Sequence, residues 1–176
     1  MGLVMTLMLS SIALAAGVTQ PIGPYAVSFD VKTNMDYQIQ PGNPIETPEV
    51  TIYPMQIITD NNTWSTIIIS ENKDPVDSTP VTEKVINRLD LMLKGFNSTE
   101  EDRVIDGKKG FVLIGEPVPG NQAAPPQLIE AFYWMDGKEC ECGPVSVGKT
   151  EVSILSSYPI DVTNSILNSL KITKSQ

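Results

Sequence analysis

Gly143-Pro144-Val145-Ser146-Val147-Gly148-Lys149-Thr150 is the string in this chain with the most chemistry written into it. It matches G-x-x-x-x-G-K-[ST]. In a phosphate loop of that form, backbone N–H groups cradle the phosphates, the lysine reaches the β- and γ-phosphates, and the threonine binds Mg²⁺. The flanking residues argue against that use. A phosphate loop leaves a buried apolar strand, whereas Lys138-Glu139-Cys140-Glu141-Cys142 precedes this one. It should open a helix, yet Thr150 to Tyr158 is β-branched and stops at Pro159. Pro144 also removes one backbone donor. The string reads as a glycine-punctuated hairpin loop, with no nucleotide partner and no cofactor expected. Ser70-Glu71-Asn72-Lys73 and Ser146-Val147-Gly148-Lys149 both match S-x-x-K, but the companion S-D-N and K-T-G strings do not occur.

The chain has no histidine, which excludes Ser-His-Asp hydrolysis, Cys-His proteolysis and the usual histidine-bearing zinc sites. Its two cysteines, Cys140 and Cys142, form a C-x-C pair. Two thiolates without further Cys or His make an incomplete metal site, and a bridge between them needs a tight bend. The pair is either redox-active, a strained or intermolecular disulfide, or simply two small inert residues in a turn. Glu100-Glu101-Asp102 lacks the spacing of a calcium loop and reads as a solvated loop after a helix. No catalytic residue and no metal site are expected. Phe132, Tyr133 and Trp134 are either core or an aromatic partner face, with neighbours in a strand pointing to opposite sides.

Residues 1–16, MGLVMTLMLSSIALAA, are uncharged, largely apolar and close on Ala13-Leu14-Ala15. That is the form of a signal peptide, although it lacks the basic residue that usually precedes the apolar core. If residues 1–18 are retained, they form a short membrane anchor. Two N-x-[ST] sequons, at Asn61 and Asn97, fit an exported chain with candidate glycan acceptors. The expected location is extracytoplasmic, secreted or at the cell surface. The net charge of −9, from 21 acidic and 12 basic residues, leaves no basic tract to follow nucleic acid. A chain of 176 residues is enough for one domain with its own core.

After a linker at 17–24 the pattern predicts one α+β domain over 25–173. Tyr25 to Val31 alternates as a half-buried strand, Asp36 to Gln40 forms a second, and Val50 to Ile58 a third with Pro54 at a bulge or edge. Trp64 to Ser70 is a central strand. Thr79 to Leu93 reads as an amphipathic helix, with Thr79 as N-cap, Pro80 at N1 and Gly95 beyond its end. Asp106-Gly107 joins two strands as a hairpin turn. Leu128 to Met135 and Thr150 to Tyr158 are further strands, and Pro159 and Asp161 open a second helix through Asn168. The fold class expected is an antiparallel sheet with helices packed on it.

The element order resembles the PsbP-type α/β sandwich, a fold named for an extrinsic subunit of photosystem II. The likeness rests on the opening strand Tyr25 to Val31, on Val104-Ile105-Asp106-Gly107-Lys108-Lys109-Gly110-Phe111-Val112, and on Val152 to Pro159 followed by a helix and Ile166 to Ile172. Domains of that type act mostly as accessory or binding subunits, so the resemblance implies a non-enzymatic role. The leading expectation is an exported accessory domain that contacts a protein or cell-envelope component. The alternative is a small-molecule or lipid-binding domain with a pocket between sheet and helix. An enzyme working without histidine comes third.

Overall fold

The computed structural model of the protein describes residues 17–59, 61, 63–74, 94–120, 124–137 and 148–175. Strand accounts for 59% of these and helix for 8%. The strands are β1 (Val18–Ile22), β2 (Tyr25–Phe29), β3 (Tyr37–Pro41), β4 (Ile45–Glu46), β5 (Val50–Thr59), β6 (Trp64–Asn72), β7 (Phe96–Ile105), β8 (Lys108–Pro117), β9 (Leu128–Trp134), β10 (Thr150–Ser156) and β11 (Lys171–Lys174). One helix, α1 (Ile160–Ser169), stands among them. The strands form two antiparallel sheets. The larger runs β3-β5-β6-β10-β9-β8-β7, with β4 also on β5, and the smaller runs β1-β2-β11.

This corrects the α+β expectation. Among the described residues the protein is mostly β, with two antiparallel sheets and one helix, rather than helices packed on a single sheet. The physical reason is that local alternation announces a strand but not its partners. The half-buried strand at Tyr25 forms as its alternation predicts, but it pairs with β1 and β11 in a separate small sheet. The helix expected over Thr79 to Leu93 lies outside the described residues.

The core fills the space between the sheets. Met55 and Ile57 of β5, Ile67 and Ile69 of β6, Val152 and Ile154 of β10, and Ala131 and Tyr133 of β9 form the inner face of the large sheet. Tyr25, Val27, Phe29 and Ile172 of the small sheet meet them, with Val162, Ile166 and Leu167 of α1. Removing side chains of this size from water stabilises the fold by about 1.5–3 kcal/mol each. Gly110 is the fitted position on β8: a Cβ there would run into the backbone oxygen of Phe132 and lie 2.9 Å from Tyr133 Cβ.

Polar ties hold α1 to the segment that follows β2 and to β7. Ser169 Oγ accepts from the Asp30 N–H at 2.7 Å, and Ser165 Oγ accepts from the Lys32 N–H at 3.0 Å. Arg103 on β7 donates to Asn164 and Asn168 of the helix, both at 2.7 Å. Asp106 and Gly107 close the β7–β8 hairpin with φ of 51° and 73°. Two positive φ values in a two-residue loop match the right-handed twist of the strands, so the Asp-Gly signal predicts this turn well. Asp106 also reaches across to the small sheet, where its Oδ2 accepts from the Ile172 N–H at 3.0 Å.

Other local readings shift. Val18 to Ile22 in the stretch read as linker forms β1, and the C-terminal Lys171 to Lys174 forms β11, so the small sheet uses both ends of the described chain. Glu100, Glu101 and Asp102 lie on β7, an edge strand, rather than in a loop. Pro54 sits inside β5 without breaking it. On one side it pairs with Ile68 of β6; on the other it falls in the gap between β4 and β3, where no ladder needs its N–H.

Candidate binding site

The large sheet has a second face, and its two halves differ. Across β8 and β9, Phe111, Leu113, Leu128, Phe132 and Trp134 form a buried aromatic cluster, joined by Trp64, Phe96 and Leu155. Phe132 stands 5.6 Å from Phe111 and 5.8 Å from Trp134, the latter nearly edge to face. Across β5, β6 and β10 the same face forms an open trough. Ile52, Ile58, Trp64, Ile68 and Leu155 supply its apolar surface, and Gln56, Thr66, Ser70 and Ser153 supply amide and hydroxyl groups between them. Glu130 of β9 borders it and is 2% exposed. The trough encloses about 790 Å³. It meets a neighbouring hollow of about 650 Å³ at Trp64 and Leu155, which is lined also by Asn61, Thr63, Phe96 and Pro125.

The trough follows from strand alternation. Trp64, Thr66, Ile68 and Ser70 are every second residue of β6. Ser65, Ile67 and Ile69 take the opposite side and enter the core or its margin. Paired neighbours extend the surface sideways, with Ile58 opposite Trp64 on β5 and Leu155 opposite Thr66 on β10. The chemistry offered is non-covalent: apolar contact, one indole, and hydroxyl and amide groups that can orient a polar end.

Of the residues singled out from sequence, Phe132, Tyr133 and Trp134 are 1%, 0% and 2% exposed. Phe132 and Trp134 belong to the outer cluster and Tyr133 to the core, so none presents an exposed face. Cys140 and Cys142 lie outside the described residues. Lys149 and Thr150 have a structural role: both backbone N–H groups donate to Asp136 Oδ1, at 2.9 and 2.8 Å. Thr150 then enters β10 rather than a helix, so donors that a phosphate loop would offer to a phosphate are held by a carboxylate. Lys73 Nζ donates to the Thr47 carbonyl at 2.7 Å. Asn61 is exposed between β5 and β6, and Asn97 is exposed on β7.

Among the tyrosines, burial raises Tyr133 well above the ordinary phenol value, with Asp106 adding to the shift. Burial pushes Tyr158 up to about 12, its hydroxyl donating to the Ile57 carbonyl at 3.4 Å. Burial also raises Tyr25 and Tyr37. All four therefore stay protonated near neutral pH, and none is activated as a phenolate nucleophile.

Reading from sequence missed the trough, although its signal was present in part. In Trp64-Ser65-Thr66-Ile67-Ile68-Ile69-Ser70 both registers carry large apolar residues, the mark of a strand whose two faces both meet apolar surroundings. No protein-family model, curated protein or solved structure matches the chain.

Proposed function

We propose that this is an exported, non-enzymatic binding domain that holds a small apolar or amphipathic molecule in the trough over β5, β6 and β10. The observation that carries the reading is the trough itself: about 790 Å³, apolar along Ile52, Ile58, Trp64, Ile68 and Leu155, with a few polar groups between. Sites for small ligands have this size and this mixture. A broad protein-docking face has less support. Among the described residues the two strongly exposed large apolar side chains, Ile45 at 54% and Val104 at 66%, lie on β4 and β7, at opposite sides of the sheet.

Titration of the full chain with 1-anilinonaphthalene-8-sulfonate, then competition by single-chain fatty acids, tests the reading. Saturable binding at one site is expected. Ile68→Asp places a negative charge in the middle of the trough at a half-buried position and weakens binding of these anionic probes by about tenfold or more. Val104→Arg, on the exposed strand edge, leaves it unchanged. Comparable melting temperatures show that both variants are folded. Unsaturable binding, or equal effects of the two substitutions, overturns the reading.

A further inference from the structure

We propose that Asn61, and not Asn97, is an N-glycan acceptor. Both sit in N-x-[ST] sequons and both are exposed, so sequence and accessibility do not separate them. Local geometry does. Asn61 lies where β5 turns into β6, and its carboxamide Oδ1 accepts from the Thr63 N–H at 3.1 Å and from Thr63 Oγ1 at 2.8 Å. The hydroxyl residue of the sequon is thus already folded back on the acceptor side chain. Asn61 Nδ2 makes no hydrogen bond to another described residue. Thr59 at the end of β5 closes the arrangement, its Oγ1 lying 2.6 Å from both Asn61 Oδ1 and Thr63 Oγ1, so the contacts stay within the β5–β6 connection.

Asn97 is held differently. Asn97, Ser98 and Thr99 pair with Glu116, Gly115 and Ile114 of β8. The whole sequon is extended within a ladder of ten pairs. Turning it back on itself opens three of those pairs first, which suppresses its reaction in the folded protein.

The reaction needs a lipid-pyrophosphate-linked oligosaccharide and its transferase. Nδ2 bonds to the anomeric carbon as the C–O bond to the pyrophosphate breaks. The electron pair leaves with the lipid pyrophosphate, and one Nδ2 proton passes to a base on the transferase. In cells the modification rests on the exported reading above, because the donor lipid is used outside the cytosol.

The test uses the full chain made without glycosylation, purified and folded, then incubated with a purified oligosaccharyltransferase and its lipid-linked donor. Peptide mass spectrometry reads each site. Transfer at Asn61 is expected to be faster than at Asn97 by about tenfold or more. Thr63→Val abolishes it and Thr63→Ser retains it. Equal transfer at Asn97, or none at Asn61, overturns the proposal. Fractionation of cells that make the chain reads export separately, so failure of the exported reading is distinguishable from failure of the acceptor assignment.

Discussion

Replacing Asp106 by alanine tests how the β7–β8 turn is tied to the small sheet. Three terms combine. The Ile172 N–H, 3.0 Å from Oδ2, loses its acceptor at a residue only 6% exposed, and an orphaned buried donor costs about 1–3 kcal/mol. Alanine at φ 51° is strained by about 1–2 kcal/mol. The buried Tyr133 hydroxyl, 3.5 Å away, loses a weak partner worth less than about 1 kcal/mol. The Lys171 ion pair adds little, because the lysine side chain is 64% exposed. The sum is about 2–6 kcal/mol, a large part of the total stability of a domain. Urea unfolding followed by tryptophan fluorescence measures it, and the midpoint should fall by about 2 M with the slope unchanged. Asp106→Gly relieves the strain but not the orphaned donor, and should recover about 1 kcal/mol relative to alanine. Asp106→Asn keeps an acceptor and tolerates the backbone, so it should be the mildest of the three. An alanine variant within about 1 kcal/mol of the parent, or a glycine variant no better than alanine, refutes the reasoning.

Gly110→Ala should lose about 1–3 kcal/mol in the same assay, because its Cβ meets the Phe132 backbone, which cannot rotate away. Gly107→Ala, with open space around it, should show only the strain of its positive φ, and a reversed order would contradict the packing argument. The Glu71–Lys174 pair predicts a pH dependence at both ends of the range. Its hydrogen bond, 2.7 Å long, holds the Glu71 carboxyl below its ordinary value of 4.5 and Lys174 above 10.5. Glu71 therefore contributes stability that is present above pH 4.5 and lost as pH falls through its lowered value. Lys174 contributes stability present below pH 10.5 and lost as pH rises through its raised value. Melting curves of Glu71→Gln and Lys174→Gln against pH should be flatter than the parent's at both ends, and parallel curves would remove the pair from the account.

How far the elements were legible depends on whether their signal is local. Asp106-Gly107 carries its own backbone preference, and the turn forms where expected. Pro159 and Asp161 mark the start of α1, and Val162 and Ile166 mark its buried face. β7 was mostly missed because Asn97 to Asp102 is exposed on both faces, as suits a sheet edge, and so shows no alternation. β1 and β11 were missed because each is short, and Pro21 in β1 reads as a breaker until its place on the edge of the small sheet is known.

The aromatic run Phe132-Tyr133-Trp134 divides between two faces by strand geometry alone, and that much belongs to the sequence. So do the period of each strand, the Asp-Gly turn, the missing histidine chemistry and the Asn61 sequon. Only the tertiary structure decided that there are two sheets, that all three aromatics are buried, and that the apolar side of Trp64 to Ser70 lines a trough. The reason is physical. Alternation, turns and residue chemistry are properties of a few neighbouring residues, whereas pairing and coverage depend on strands as far apart as Ser28 and Lys171.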